Sequence, residues 1–197
     1  MGIEGSAGGV SVDAGVFDPT SPIWRRPPFE HQVEIARFHY GSRNTLDASE
    51  VGVGKTAPAI VAMQQLFRDE RIRSALVIAP NSILDNWSAE LRINSSLSFT
   101  VLRGTKEKRI DLIHKEPRSD LYLINFEAVR TVADHLQWLD CDLILCDEIH
   151  HIKSFSSQQT KHVLALGKMA RARKGMTGTL LTNDLLDLWA IAQFIDP

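Results

Sequence analysis

The chain has 197 residues, 44% of them apolar, 23% charged and 7% aromatic, enough for one soluble domain with a sizeable core. Its 22 basic and 24 acidic residues leave a net charge of -2, which excludes a globally basic, histone-like binder, so contact with a polyanion must come from a local patch. No apolar run approaches the roughly 20 residues of a membrane span, and the N-terminus lacks the basic start and apolar stretch of a secretory signal, so an intracellular protein without a membrane partner is expected.

Residues 1–27 read as a flexible tail. The first 28 positions hold five of the 12 glycines, four of the 8 prolines and only five charges. Near its end, Trp24 beside Arg25 and Arg26 is expected to dock on the domain surface. From residue 28 to 197 helical and extended patterns alternate. Glu30 to Tyr40 has apolar residues at helical spacing, and Thr45 to Ala48 is a short strand. Lys55 to Phe67 is a helix that tolerates Pro58 in its first turn. Ala75 to Ala79 is a buried strand. Ile83, Trp87 and Leu91 form one helical stripe, on which Trp87 is expected in the core. Phe99 to Leu102 and Leu121 to Asn125 are strands, and Glu127 to Leu139 is a helix. Leu143 to Cys146 is a buried strand, on which the odd offset from Cys141 to Cys146 argues against a disulfide. Ser157 to Ala170 is a helix, Lys174 to Thr177 a strand and Asp184 to Ile195 a helix, with Trp189, Leu185, Leu188 and Ala192 expected in the core. This alternation predicts an α/β domain with a parallel sheet, right-handed crossovers and helices on both faces.

Two segments carry chemistry. Ser49-Glu50-Val51-Gly52-Val53-Gly54-Lys55-Thr56 lies between a strand and a helix. Gly52 and Gly54 permit a turn that aims amide N–H groups at an anion, and the next helix adds its positive end. Lys55 can reach β and γ phosphates, and the Thr56 hydroxyl can ligate Mg²⁺. About 90 residues later, Leu143 to Cys146 ends in Asp147-Glu148. At the carboxyl end of a parallel strand, Asp147 is placed to hold Mg²⁺ and Glu148 to orient the attacking water. His150 and His151 lack the spacing and companions of a zinc site. They are read either as a solvated pair or as a link between nucleotide state and neighbouring loops. Arg103, Lys106, Lys108 and Arg109 offer two readings: a patch for a DNA backbone, or a solvated helix start.

In this order the motifs resemble the first RecA-like lobe of superfamily-two helicases, and within them the Swi/Snf-like DNA translocases. Pro28-Phe29-Glu30-His31-Gln32 resembles the adenine-recognising glutamine motif, and Ser49 to Thr56 resembles motif I. Val77 to Pro80 with Asn86 to Leu91 is similar to motif Ia and its helix. Tyr122 to Glu127 resembles motif Ib, Asp147 to Ser154 motif II, and Thr177-Gly178-Thr179 to Asn183 with Leu188-Trp189 and Asp196-Pro197 motif III. Ser49, Ile149 and His151 stand where Asp or Ala, Ala, and Arg are usual.

The resemblance implies a single RecA-like P-loop NTPase lobe that uses ATP and Mg²⁺. Lys55, Asp147 and Glu148 would be catalytic. Phe29, Gln32, Glu50, Gly52, Val53, Gly54, Lys55 and Thr56 would bind ATP, and Thr56 with Asp147 the metal. His150, Lys153, Thr177, Gly178 and Thr179 would couple nucleotide state to DNA, expected to be duplex. Asn183 or Thr182 is at least as well read as a cap of the last helix. No second phosphate loop and no Gln-x-x-Gly-Arg-x-x-Arg pattern occurs. A second lobe, in the same parent chain or a separate polypeptide, is therefore expected to supply the arginines, and the lone lobe is expected to turn over poorly. The alternative is a nucleotide-responsive module that binds nucleic acid or a partner without catalysis. A small-molecule kinase lacks an evident acceptor site here.

Overall fold

The computed structural model describes residues 17, 24, 27–152, 157–179 and 185–197, the last span with side chains from 188 onward. In chain order the elements are α1 (Glu30–Gly41), β1 (Asn44–Asp47), α2 (Thr56–Arg68), β2 (Ala75–Ala79), α3 (Leu84–Asn94), β3 (Phe99–Val101), α4 (Lys106–Ile113), β4 (Leu121–Asn125), α5 (Phe126–Leu136), β5 (Leu143–Asp147), α6 (Gln158–Met169), β6 (Ala172–Met176) and α7 (Leu185–Ile195). All strand pairs are parallel, in the order β1-β6-β5-β2-β4-β3. No helix among the described residues is long and apolar enough to cross a membrane.

Strand side chains alternate between two cores because successive Cβ atoms point to opposite faces. Ala75, Val77, Ala79, Leu143 and Leu145 pack with Ala36 and Tyr40 of α1, Ile60 and Met63 of α2, and Leu84, Trp87 and Leu91 of α3. Leu76, Ile78, Ile144 and Cys146 pack on the other face with Ile113, Val129, Val163, Ile191 and Phe194 of α4 to α7. The expected RecA-like α/β layering, with helices on both faces, is therefore present.

The cationic run at 103–109 leads into α4, as the helix-start reading expects, and the Thr105 hydroxyl accepts the Lys108 N–H at 3.3 Å. Arg103 there pairs with Asp85 at 2.6 Å, so part of the run serves the surface of this domain. Two elements differ from the sequence expectation. β6 begins at Ala172, earlier than its basic residues suggest, and carries Lys174 in the interior at 1% exposure. Trp189 is not in the core. It is 47% exposed and Leu188 is 38% exposed, while Ala190, Ile191 and Phe194 are buried. α7 is apolar on nearly every side, so its composition could not select which stripe turns inward. Upstream of α1, Trp24 docks on the first core as expected, and Phe17 is also buried, its ring 5.7 Å from that of Tyr40. Cys141 and Cys146 are both free thiols.

Candidate nucleotide site

Parallel strands end at one edge, and the candidate residues meet there. Asp47 of β1 and Asp147 of β5 both pair with Met176 of β6, which separates them by two strand spacings, roughly 10 Å. The loop leaving β1 uses left-handed backbone at Gly52 (φ 88°) and Gly54 (φ 76°), the conformations its glycines were expected to permit. Lys55 ends the loop at the N-cap of α2, and its ammonium donates to the carbonyls of Ser49 (2.7 Å) and Glu50 (2.8 Å). Thr56 opens α2. The turn thus gathers amide groups, a lysine and a hydroxyl within eight consecutive residues, an arrangement suited to a polyanion.

Asp147 is 6% exposed and held on both oxygens. The Trp87 indole N–H donates to Oδ2 at 2.8 Å, and the Glu148 N–H to Oδ1 at 2.9 Å. Burial pushes its carboxyl up to about 6. The Trp87 bond opposes this, the Glu148 charge adds to it, and the Lys55 ammonium pulls it down. Glu148 adopts left-handed backbone (φ 52°), which is uncommon for a residue with a Cβ and turns its side chain away from the strand direction.

The residues expected to couple the site form one bonded set. His150 Nδ1 lies 3.2 Å from Glu148 Oε2, 3.0 Å from Thr177 Oγ1 and 3.3 Å from Thr179 Oγ1. The Thr177 hydroxyl also donates to Glu148 Oε2 at 3.3 Å. His150 is thus integrated rather than merely solvated, and its ring stacks on His151, which stacks in turn on Phe126. Gly178 backs directly onto the phosphate loop, since a Cβ there would lie 3.2 Å from the Val51 Cα and 2.3 Å from its Cγ2. Lys153, Thr182 and Asn183 lie outside the described residues.

Beside the loop, a cleft of about 340 Å³ is lined by Trp24, Pro27, Phe29, Gln32, Gly54, Thr56 and Ala57, and by Asn86, Glu90 and Asn94 of α3. Gln32 is oriented within α1, where its Oε1 accepts the Phe29 N–H at 3.2 Å. Its Nε2 approaches the loop so closely that a Cβ on Gly54 would lie 2.9 Å away. Phe29 is 69% exposed and stacks on His31, whose Nε2 lies 3.2 Å from the Val53 carbonyl. The glutamine segment and the phosphate loop are therefore in direct contact.

Sequence reasoning missed several participants. Trp87 is in the core as expected, but it also holds Asp147. Asp47, His39 and Val51 were not singled out, although two titratable residues at core-facing positions of β1 and α1 were a readable signal. The departure at Ile149 has a local explanation. A Cβ on Gly175 would lie 2.7 Å from Ile149 Cδ1, so glycine on β6 makes room for the larger side chain.

The model of the SNF2-related domain family matches residues 31–197. The ISWI chromatin-remodeling complex ATPase ISW2 of Saccharomyces cerevisiae is 32% identical over 168 residues, which cover 83% of this chain and 15% of that protein. The DNA repair and recombination protein RAD54-like of Drosophila erecta is 28% identical over 204 residues, covering 92% of this chain and 25% of that protein. The chain therefore spans a quarter or less of the length of these relatives. Among solved structures, the Sulfolobus solfataricus SWI2/SNF2 ATPase core in complex with dsDNA aligns with a TM-score of 0.74 at 24% identity, over 88% of this chain and 36% of that one. With the phosphate loop, Asp147-Glu148 and Thr177 to Thr179 at one edge of a parallel sheet and the family match running over residues 31–197, this chain belongs to the SNF2-related domain family.

Proposed function

We propose that residues 28–197 are the ATP-binding lobe of an ATP-dependent translocase on duplex DNA, preceded by a tail over 1–27 and completed by a second RecA-like lobe. The carrying observation is that the phosphate loop and the Asp147-Glu148 turn meet through one segment: Val51 of the loop lies against Gly178, and the neighbouring Thr177 hydroxyl bonds Glu148, which His150 also contacts. In this reading the amides of Gly52, Val53 and Gly54 hold the phosphates, with Glu50 contributing backbone. Lys55 exchanges its two loop carbonyls for β and γ phosphate oxygens. Gln32, already turned towards the loop, reads the adenine through its amide, and Phe29 offers a face to stack on.

The Thr56 hydroxyl and the Asp147 carboxylate are hard oxygen donors, the ligand chemistry that suits Mg²⁺. The ion would neutralise phosphate charge there. The Glu148 carboxylate, fixed by Thr177 and His150, accepts a proton from water and orients it. Gly178 and Thr179 carry the change at the phosphates to the adjoining surface, because Val51 of the loop rests on Gly178.

The test is nucleotide binding followed by turnover. Lys55→Ala should abolish binding of a fluorescent ATP analogue to this chain. Glu148→Gln should retain binding, yet stop hydrolysis once the second lobe is supplied. Undiminished binding by Lys55→Ala, or parent-rate turnover by Glu148→Gln in the completed protein, would overturn the assignment.

A further inference from the structure

We propose that Asp47 is the positioning residue of the phosphate loop, gripping its entry through Ser49 while the same residue's backbone ties in Thr177. The inference rests on the nucleotide reading of that loop. Asp47 Oδ1 accepts both the Ser49 N–H (2.9 Å) and the Ser49 hydroxyl (2.6 Å), and the Asp47 carbonyl accepts the Thr177 N–H at 2.9 Å. One residue at the end of β1 thereby sets the register of both the loop and the Thr177–Gly178–Thr179 segment.

Below Asp47 lies α1. The Asp47 Oδ2 faces His39 Nε2 at 3.6 Å, too long for a hydrogen bond, and burial lowers the His39 imidazole from its ordinary value. His39 is fully buried, and its Nδ1 bonds the Thr45 hydroxyl at 2.9 Å. Lys174 of β6 then pins the last turn of α1 by donating to the carbonyls of His39 (2.5 Å) and Ser42 (2.9 Å). The opposite end of α1 carries Gln32 and His31, which touch the loop at Gly54 and Val53. The helix is a strut between the base-facing cleft and the root of the phosphate loop.

The loop needs such an anchor. Two glycines with left-handed backbone give it little conformational preference of its own. Burying a carboxylate is costly unless its hydrogen bonds are made, and both donors to Oδ1 come from Ser49, the position where the family resemblance expects Asp or Ala. Serine supplies the hydroxyl that this grip uses, so the departure at position 49 and the acid at position 47 explain each other.

The test compares ATP with adenosine on the whole chain, by ligand-observed NMR, which reads millimolar affinities. Asp47→Ala should weaken ATP about tenfold to a hundredfold, the loss of charge-assisted bonds at the loop entry, and leave adenosine within about twofold. Ser49→Ala keeps the backbone bond and should fall between Asp47→Ala and parent. Asp47→Asn keeps the acceptor and should restore ATP affinity to within about threefold of parent. ATP affinity unchanged in Asp47→Ala overturns the proposal, as does an equal loss for adenosine, which would mark general damage. A parent chain that binds ATP no better than adenosine refutes the nucleotide reading itself, and this inference with it.

Discussion

Trp87 has two roles within one side chain. Its ring is fully buried among the residues of the first core, and its indole N–H reaches across to Asp147 at 2.8 Å. Apolar burial and hydrogen bonding are separable by substitution. Trp87→Phe keeps most of the packing but leaves Asp147 Oδ2 without its donor, at a cost of about 1–3 kcal/mol, with a smaller addition for lost volume. In urea unfolding, that cost should shrink by at least about 0.5 kcal/mol when Trp87→Phe is made in an Asp147→Ala background, because the two residues are in contact. An identical cost in both backgrounds would mean that the bond contributes nothing. The contrast with the phosphate loop shows what a sequence discloses at this scale. Gly52, Gly54, Lys55 and Thr56 act through local backbone, so their order alone reveals them. Trp87 and Asp147 are 60 positions apart and meet only after β5 pairs with β2 and α3 covers the sheet.

Among the elements, β6 is the least expected and the most informative. Its basic residues obscure a strand at the centre of the half-sheet that joins β1 to β5. Lys174 on it is buried, and burial, aided by the charge of Arg71, lowers its ammonium from 10.5 to about 7. Between those values the unfolded chain holds a proton that the folded chain has released. Folded stability therefore rises with pH across this window and is lowest below about 7. The expected rise from pH 6.5 to pH 9.5 is on the order of 3–4 kcal/mol. Denaturant unfolding at the two pH values should show this gain in the parent and not in Lys174→Met, which has no proton to lose. An equal gain in both proteins would place the titration elsewhere. Strand β2, apolar throughout, and β4, apolar up to its last residue Asn125, were legible to the residue. Of α4 only the start was readable, as one of two alternatives, because its eight residues are mostly charged and only Ile110, Leu112 and Ile113 meet the core. The orientation of α7 was hidden for the opposite reason, since either stripe could have been buried.

At the level of the whole molecule, the edge that carries the site leaves large apolar side chains in solvent. Val51 and Phe29 are 72% and 69% exposed on the phosphate loop and beside the base-facing cleft, and Glu148 is only about one-third exposed yet faces the same edge. The phosphate loop carries Lys55, a compact charge suited to the ground-state triphosphate. Charge that develops during phosphoryl transfer calls for further donors, and an arginine entering from outside the lobe contributes roughly 10³ to 10⁵ in rate in related chemistry. Full-length parent protein, or this chain mixed with its completing lobe, should therefore hydrolyse ATP at least about a thousandfold faster than this chain alone when duplex DNA is present. Substituting alanine for the arginines of the added lobe should return the rate to that of the lone chain without loss of ATP binding, because the amides, Lys55 and Gln32 remain in place. DNA-stimulated turnover by the lone chain at the rate of the completed protein would show that the catalytic set is already whole within these 197 residues.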